Sequence, residues 1–379
     1  MSNNKVNAGN YRDTGLGFKA FYPNSLQDIE KNIKLEPIQN LLDSANIALG
    51  QLTAIEMLLP NPKLITEKYA IKEALLSSQI EGTQSTLAEV YENQESKQNV
   101  VIKEDVREVN NYFEALNFGI NNIKTGKLPL SFRLLKECHK ILMYGVRGGE
   151  PNKTSGEFRL SQNWIGGKSP KDAYFVPPPT SELMSLLGEL ERYMYYGKMP
   201  HLVKLALIHY QFETIHPFLD GNGRIGRLII PLYLISNEII NYPTLYLSLY
   251  LKKHKMEYYE LLMDVRNNGS FINWIQFFLE GIIEVSRQIM QMTKQIDNLE
   301  KQDRTLVHLK TEVALLEALF VNPTTNIKKV KEELNVSNGT SNNLVKKFQE
   351  LGILVQVGNS QRNKKYVYKK YLDIIEEEL

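Results

Sequence analysis

Twelve consecutive residues, His216-Pro217-Phe218-Leu219-Asp220-Gly221-Asn222-Gly223-Arg224-Ile225-Gly226-Arg227, gather the groups that phosphate chemistry needs. His216 is an imidazole, a side chain that titrates near neutrality and can take a proton from an attacking hydroxyl. Asp220 is a hard oxygen ligand of the kind that holds Mg²⁺. Gly221, Gly223 and Gly226 let main chain approach a phosphate closely, and the free N–H groups at a helix start bind anions. Arg224 and Arg227 are three residues apart, near one helical face, and can clamp a polyphosphate. Base, metal ligand, anion nest and two guanidiniums together describe phosphoryl or nucleotidyl transfer.

Three competing readings are weaker. Gly221-x-Gly223-x-x-Gly226 formally satisfies the dinucleotide fingerprint, but that fingerprint needs a preceding strand and the preceding segment reads as helix. His209, Glu213 and His216 fall at i, i+4 and i+7, a spacing open to a metal, yet nothing nearby completes a ligand set. His209 reads better as a hydrogen-bonded structural histidine. A merely solvated turn explains the glycines and leaves the His, Asp, Asn and two Arg unexplained.

The elements that must position this run are helical. A helix from Leu202 to Ile215 precedes it and an apolar one follows from about Asn222. Upstream, apolar spacing predicts helices over 37–59, 64–81, 86–94, 103–124 and 131–144. The stretch 145–180 differs. It carries Gly145, Gly148, Gly149, Gly156, Gly166 and Gly167, with β-prone pieces at 163–165 and 173–176, and predicts a β-hairpin or flap. Further helices read at 181–196 and from about 252 and 271. Met292, Ile296, Leu299, Leu306 and Val313 follow at near-heptad spacing, which leaves open a helix packed on its own domain or a homodimer seam.

The run of twelve resembles the Fic family signature, HPFxDGNGRxxR, at every position. The likeness extends to Gly156-Glu157-Phe158-Arg159 with Asn163-Trp164-Ile165-Gly166, similar to the family's flap, and to 268–278, similar to its later helix. It covers about residues 30–290. The resemblance implies a protein adenylyltransferase that moves AMP from ATP onto a Ser, Thr or Tyr hydroxyl of a target protein. It implies His216 as general base, Asp220 as holder of Mg²⁺, and main chain of Gly221, Asn222 and Gly223 as the anion hole. Arg224 would hold the β-phosphate and Arg227 the γ-phosphate, with Ile225 and Gly226 in the same nucleotide-binding stretch. Tyr258 would line the base-binding wall or serve as an ordinary core aromatic. The target would add a strand to the flap at about 156–178.

Ser77-Ser78-Gln79-Ile80-Glu81-Gly82 matches the family's inhibitory pattern [S/T]xxxE[G/N]. The resemblance implies that Glu81, on a face shared with Ser77, pairs bidentately with Arg227 and blocks the γ-phosphate place in cis. Related chemistry stays open: removal of AMP from a modified target, or transfer of another nucleotide.

Residues 310–379 read as helices at 311–321, 327–334 and 340–351, a turn at 336–339, and strands at 352–357 and 366–368, resembling a winged helix-turn-helix. Ser341, Asn342, Asn343, Lys346 and Lys347 would face DNA, with Arg362, Lys364, Lys365, Lys369 and Lys370 on the wing. Docking without DNA stays open, as does a DNA-binding regulator whose core senses nucleotide.

The expected fold class is mainly α: a helical-bundle core with a β-hairpin flap and a C-terminal winged-helix domain. Its expected parts are an N-terminal helical region at 1–110 with an inhibitory helix at 64–82, a catalytic core at 111–290, a connecting helix at 291–308 and the winged helix at 309–379. Bulk properties agree. The 379 residues suggest roughly two to three domains, and 42% hydrophobic with 23% charged residues is a globular balance. A net charge of +2 excludes a global field for nucleic acid or membrane. The one cysteine, Cys138, allows no internal disulfide, and the polar first fifteen residues do not read as a signal peptide, so a cytoplasmic protein is expected.

Overall fold

The structure, a computed structural model, describes residues 6–58, 62–95, 103–146, 154–358 and 364–376. Gly148, Gly149 and Arg362 lie outside the described residues. The chain divides into two compact units, one of 1–53 with 66–286, the other of 54–65 with 287–379. Among the described residues no helix is long and apolar enough to cross a membrane.

The first unit opens with an antiparallel hairpin, β1 (Gly9–Asp13) and β2 (Lys19–Pro23), which pairs Gly9 with Pro23 and Asp13 with Lys19. Its turn is built on Gly15 and Gly17, both at positive φ. Then come α1 (Leu26–Ile29), α2 (Gln39–Leu58), α3 (Pro62–Ile80), α4 (Leu87–Glu95), α5 (Glu104–Lys124) and α6 (Phe132–Leu142). The Ser131 hydroxyl caps α6 by accepting from the Leu134 N–H. After the flap follow α7 (Thr180–Tyr196), α8 (His201–Ile215), α9 (Asn222–Ser236), α10 (Ser248–Lys253), α11 (Lys255–Asn268) and α12 (Phe271–Arg304).

α8 is the axis of the core. Every residue from Leu202 to Ile215 is buried, as an all-round apolar helix must be. α9 packs on it and is buried almost throughout. Trp274 of α12, fully buried, donates its indole N–H to the Ala206 carbonyl (2.8 Å), tying the later helix to this axis. Each such aromatic or Leu side chain contributes about 1.5–3 kcal/mol on burial.

The flap is slimmer than its sequence predicts. Instead of two strands, one antiparallel bridge joins Ile165 and Phe175, because Gly166 and Gly167 turn at positive φ and the intervening backbone folds onto the Asp172 carboxylate. The N-terminal hairpin, which the sequence reading misses, backs this flap. The Phe21 N–H donates to Val176 O (3.0 Å), and the Phe21 ring lies 6.0 Å from that of Phe175.

The second unit carries the end of α12, α13 (Lys310–Val321), β3 (Thr324–Thr325), α14 (Ile327–Leu334), α15 (Asn338–Glu350), β4 (Val355–Val357), β5 (Lys365–Val367) and α16 (Lys369–Glu376). Its sheet is antiparallel in the order β3-β5-β4. Three expectations are corrected. Asn338 and Gly339 belong to α15, because Ser337 caps that helix from outside by accepting from Thr340 N. Lys369 and Lys370 open a helix rather than continue a wing. Ser341 is buried, its hydroxyl donating to Ser337 O (2.9 Å), so it cannot reach DNA bases. Of the near-heptad residues, Met292, Ile296 and Leu299 are buried within the chain, while Leu306 is exposed.

Candidate active site

α8 stops at Ile215, and His216 caps it in the left-handed region at φ 51°. Pro217 accounts for the exit: its ring disfavours right-handed helical geometry in the residue before it. Asn222 then staples the turn. Its Oδ1 accepts the Phe218 N–H and its Nδ2 donates to the Phe218 carbonyl, both at 2.8 Å. Gly221, at φ 75°, starts α9 and leaves the N–H groups of Asn222, Gly223 and Arg224 without intrahelical acceptors.

Three residues hold this loop from behind. Arg159, fully buried, donates from Nε to His216 O (2.9 Å) and from Nη2 to Pro178 O (2.6 Å). Asn163 donates to Phe218 O (2.9 Å). His139 accepts the Gly156 N–H at Nδ1 (2.8 Å), so its proton sits on Nε2 and is donated to Asp220 O (3.0 Å). Its ring stacks on Phe218 at 3.9 Å, and burial lowers its pKa to about 4, which keeps it neutral.

A cavity of about 840 Å³ lies against the start of α9, inside the roughly 300–1,000 Å³ range of ligand pockets. His216, Asp220, Gly221, Asn222, Gly223, Arg224, Arg227, Glu81 and Tyr258 all line it. Ser77, Ile225 and Gly226 do not. The Ile225 N–H is spent on Gly221 O (3.0 Å), and Gly226 O accepts from His209 Nδ1 (3.0 Å), so neither has main chain to offer a nucleotide. Ser77 stands behind Arg227.

Arg227 is 1% exposed and makes three hydrogen bonds: Nε donates to Ser77 Oγ (2.8 Å), and Nη2 to Ser77 O (3.0 Å) and Glu81 Oε1 (2.5 Å). The expected bidentate pair is thereby corrected, since the guanidinium divides its fork between Ser77 and Glu81. Burial alone would raise the Glu81 carboxyl, but Arg227, Arg224 and Lys255 together hold it below the usual range. A Cβ placed on Gly223 would stand 2.4 Å from Glu81 Oε1, so the carboxylate sits directly over the helix N-terminus. Arg224, buried in the same wall, has Nε and Nη1 without hydrogen-bond partners among the described residues.

His216 does not titrate near neutrality. Burial first, then the Arg266 and Arg159 guanidiniums, lower it to about 4, so the imidazole is neutral at physiological pH. Asp220 lines the cavity and its Oδ1 accepts the Gly221 N–H (2.7 Å). Tyr258 is at once core and wall: it is 1% exposed, and its hydroxyl donates to His209 Nε2 (2.9 Å). That bond and the Gly226 carbonyl occupy both nitrogens of His209. Sequence reasoning missed His139 and Arg266. The latter bonds Thr214 Oγ1 (3.1 Å), lies 3.8 Å from the centre of the Phe175 ring and lines the cavity. Neither has a spacing that separates it from other helical cations and histidines.

The model of the Fic/DOC family N-terminal region matches residues 39–121, and that of the Fic/DOC family matches 129–234. The chain belongs to the Fic/DOC family. Among Fic relatives, it is 27% identical over 264 residues to the protein adenylyltransferase Fic of Drosophila erecta, covering 67% of this chain and 48% of the relative. With that of Drosophila willistoni it shares 29% over 209 residues, 53% of this chain and 38% of the relative. The chain thus spans about half or less of the length of these curated relatives. In fold it is similar to a Fic family protein from Desulfovibrio desulfuricans G20, with TM-score 0.57, 20% identity, and coverage of 89% of this chain and 97% of that one. It is also similar to Fic-1 (aa134 - 508) from C. elegans, with TM-score 0.52, 18% identity, and coverage of 71% and 77%.

Proposed function

We propose that the chain moves AMP from ATP onto a Ser, Thr or Tyr hydroxyl of a protein, and that Glu81 restrains the reaction in cis. The observation that carries this reading is the bond of Arg227 to Glu81 on the wall of the cavity that also holds His216, Asp220 and Arg224. The names of the curated relatives support the adenylyl donor.

In this reading the neutral His216 takes the proton of the target hydroxyl. The oxygen forms a bond to the α-phosphorus, the α–β bridge breaks, and pyrophosphate leaves. Arg224, with its unpaired N–H groups, and the N–H groups of Asn222 and Gly223 cradle phosphate oxygens. Asp220, a hard oxygen donor on the cavity wall, would hold Mg²⁺ together with the phosphates of the nucleotide. That ion supplies neutralisation of phosphate charge. The flap at about 156–178 receives the target by main-chain bonding beside the Ile165–Phe175 bridge.

Glu81 inhibits because its carboxylate lies over Gly223, in the place an anion would take, and holds Arg227 away from the triphosphate. Intact-mass analysis after incubation with ATP and Mg²⁺ tests this. Glu81→Gly gains AMP-sized mass on itself or a target at least tenfold faster than wild type, and Glu81→Gly with His216→Ala gains none. Equal rates in wild type and Glu81→Gly remove the restraint, and unaltered transfer without His216 removes the assignment of the base.

For residues 309–379 the helix–strand–helix–helix–hairpin order and three-stranded sheet support a winged helix. Of its expected DNA-facing side chains, Lys347 is bonded to Glu312 while Asn342, Asn343 and Lys346 are exposed on α15. A salt-dependent mobility shift of the full chain on duplex DNA, reduced by Lys346→Ala, is the expected outcome; no shift at low salt overturns it.

A further inference from the structure

Glu213 has no part in the chemistry set out so far, yet it is the most conspicuous polar group around the base. It lies in the last turn of α8, three residues before His216, with its side chain 8% exposed. Its Oε1 has no hydrogen-bond partner among the described residues, and neither has His216 Nδ1. The two side chains face each other, with Glu213 Oε2 3.9 Å from Nδ1. The main-chain carbonyl of Glu213 also approaches the ring without reaching hydrogen-bond geometry, and Arg266 Nη2 donates to that carbonyl (3.3 Å). Room for the carboxyl group comes from Gly226: a Cβ there would stand 2.1 Å from Glu213 Oε1.

We propose that Glu213 is the positioning residue of His216. It accepts the Nδ1–H of the imidazole, keeps Nε2 as the nitrogen turned to the cavity, and stabilises the imidazolium that forms when the target hydroxyl gives up its proton. The inference rests on the transfer reading above. A movement of about 1 Å closes the present separation to hydrogen-bond length. The arrangement also answers a difficulty: an imidazole lowered to about 4 is a feeble base, and a facing carboxylate restores its basicity. Glu213 itself is raised to about 7, by burial first, against Arg227 and Arg266, which lower it, and with Glu81, which raises it. Tyr258 and Tyr259 also face it, both neutral phenols. Transfer should therefore rise with pH as Glu213 ionises.

The test compares Glu81→Gly with the same protein carrying Glu213→Gln, Glu213→Asp or Gly226→Ala. Expected are about 10- to 100-fold slower transfer in Glu213→Gln, partial recovery in Glu213→Asp, ATP affinity within about twofold, and loss of the rise in rate through pH 7. Gly226→Ala, which crowds the carboxyl away, slows transfer likewise should the glutamine variant fold poorly. In parallel, ¹⁵N-histidine NMR of the unliganded proteins reads the His216 tautomer and midpoint. Glu213→Gln lowers the midpoint and removes the Nδ1–H preference. Transfer within about twofold of the parent with an unchanged pH profile, or unchanged ¹⁵N signals, overturns the proposal. Absence of AMP transfer from the Glu81→Gly parent counts against the transfer reading instead, and the NMR arm then decides the Glu213–His216 pair by itself.

Discussion

A guanidinium as buried as Arg227 keeps its charge only where acceptors surround it, and it finds three: the Ser77 hydroxyl, the Ser77 carbonyl and the Glu81 carboxylate. Ser77→Ala removes the hydroxyl from that set and leaves the carbonyl. Leaving a charged donor unmet costs about 1–3 kcal/mol, so a fall in thermal midpoint is expected by calorimetry, with a rise in transfer smaller than that of Glu81→Gly. The residue scale also dictates pH behaviour. His139, His209 and His216 are each lowered to about 4 by burial, so the unfolded chain binds their protons first and stability is lost as pH falls from about 6.5 towards 4. Glu73 and Glu213, each raised to about 7 by burial, act in the opposite sense and lose stabilisation as pH rises from about 4.5 to 7. The opposing slopes, about 1.4 kcal/mol per pH unit per group, cancel for all but one group, since three histidines face two glutamates. A shallow dependence of Tm on pH is expected for wild type between pH 5 and 6.5, and a clear rise for Glu73→Gln with Glu213→Gln. A double variant as flat as wild type would contradict the balance.

At the scale of elements, α3 ends in a clasp. Lys252 donates to Gln79 Oε1 (2.7 Å) and Lys255 to Ile80 O (2.5 Å), so α10 and α11 grip the turn that carries Glu81. Lys252→Ala with Lys255→Ala should raise transfer several-fold, and should add nothing in the Glu81→Gly background; a further gain there would show that the lysines act elsewhere. Helices were the legible elements, because a 3.6-residue apolar period survives in α5 and α6 whatever they pack against. The N-terminal hairpin was not. Its strands are five residues long, Tyr11 and Arg12 face out among other polar residues, and β2 is buried by the flap, a partner no local pattern announces. The flap was overread for the converse reason. Asn163-Trp164-Ile165 is β-prone in isolation, while Asn163 and Arg159 are committed to loop carbonyls that hold the main chain out of a ladder.

For the whole molecule, the second unit shows the limit of a pattern without contacts. The polar and basic residues expected to form one face are divided by burial and pairing: Ser341 turns inward, Lys347 is taken by Glu312, and Lys369 with Lys370 start α16. One buried bond ties that unit together, Tyr368 OH to Asp303 Oδ2 (2.5 Å), from the strand end to α12. Tyr368→Phe leaves a buried carboxylate short of a donor, and a loss of about 1–3 kcal/mol in the unfolding of this unit is expected, read by hydrogen exchange at α12 and β5.

α8 carries its histidine at the tip of a rod with no solvent-facing side, whereas Glu81 rides on the turn that follows the end of α3 at Ile80. The two therefore differ in mutational tolerance. On the restraint proposed for Glu81, random drift can strip away the acidic gate while the fold endures, but it can hardly displace the imidazole without ruining the interior. Descendants of this sequence are thus far more prone to become unruly than to become inert by slippage of the catalytic floor.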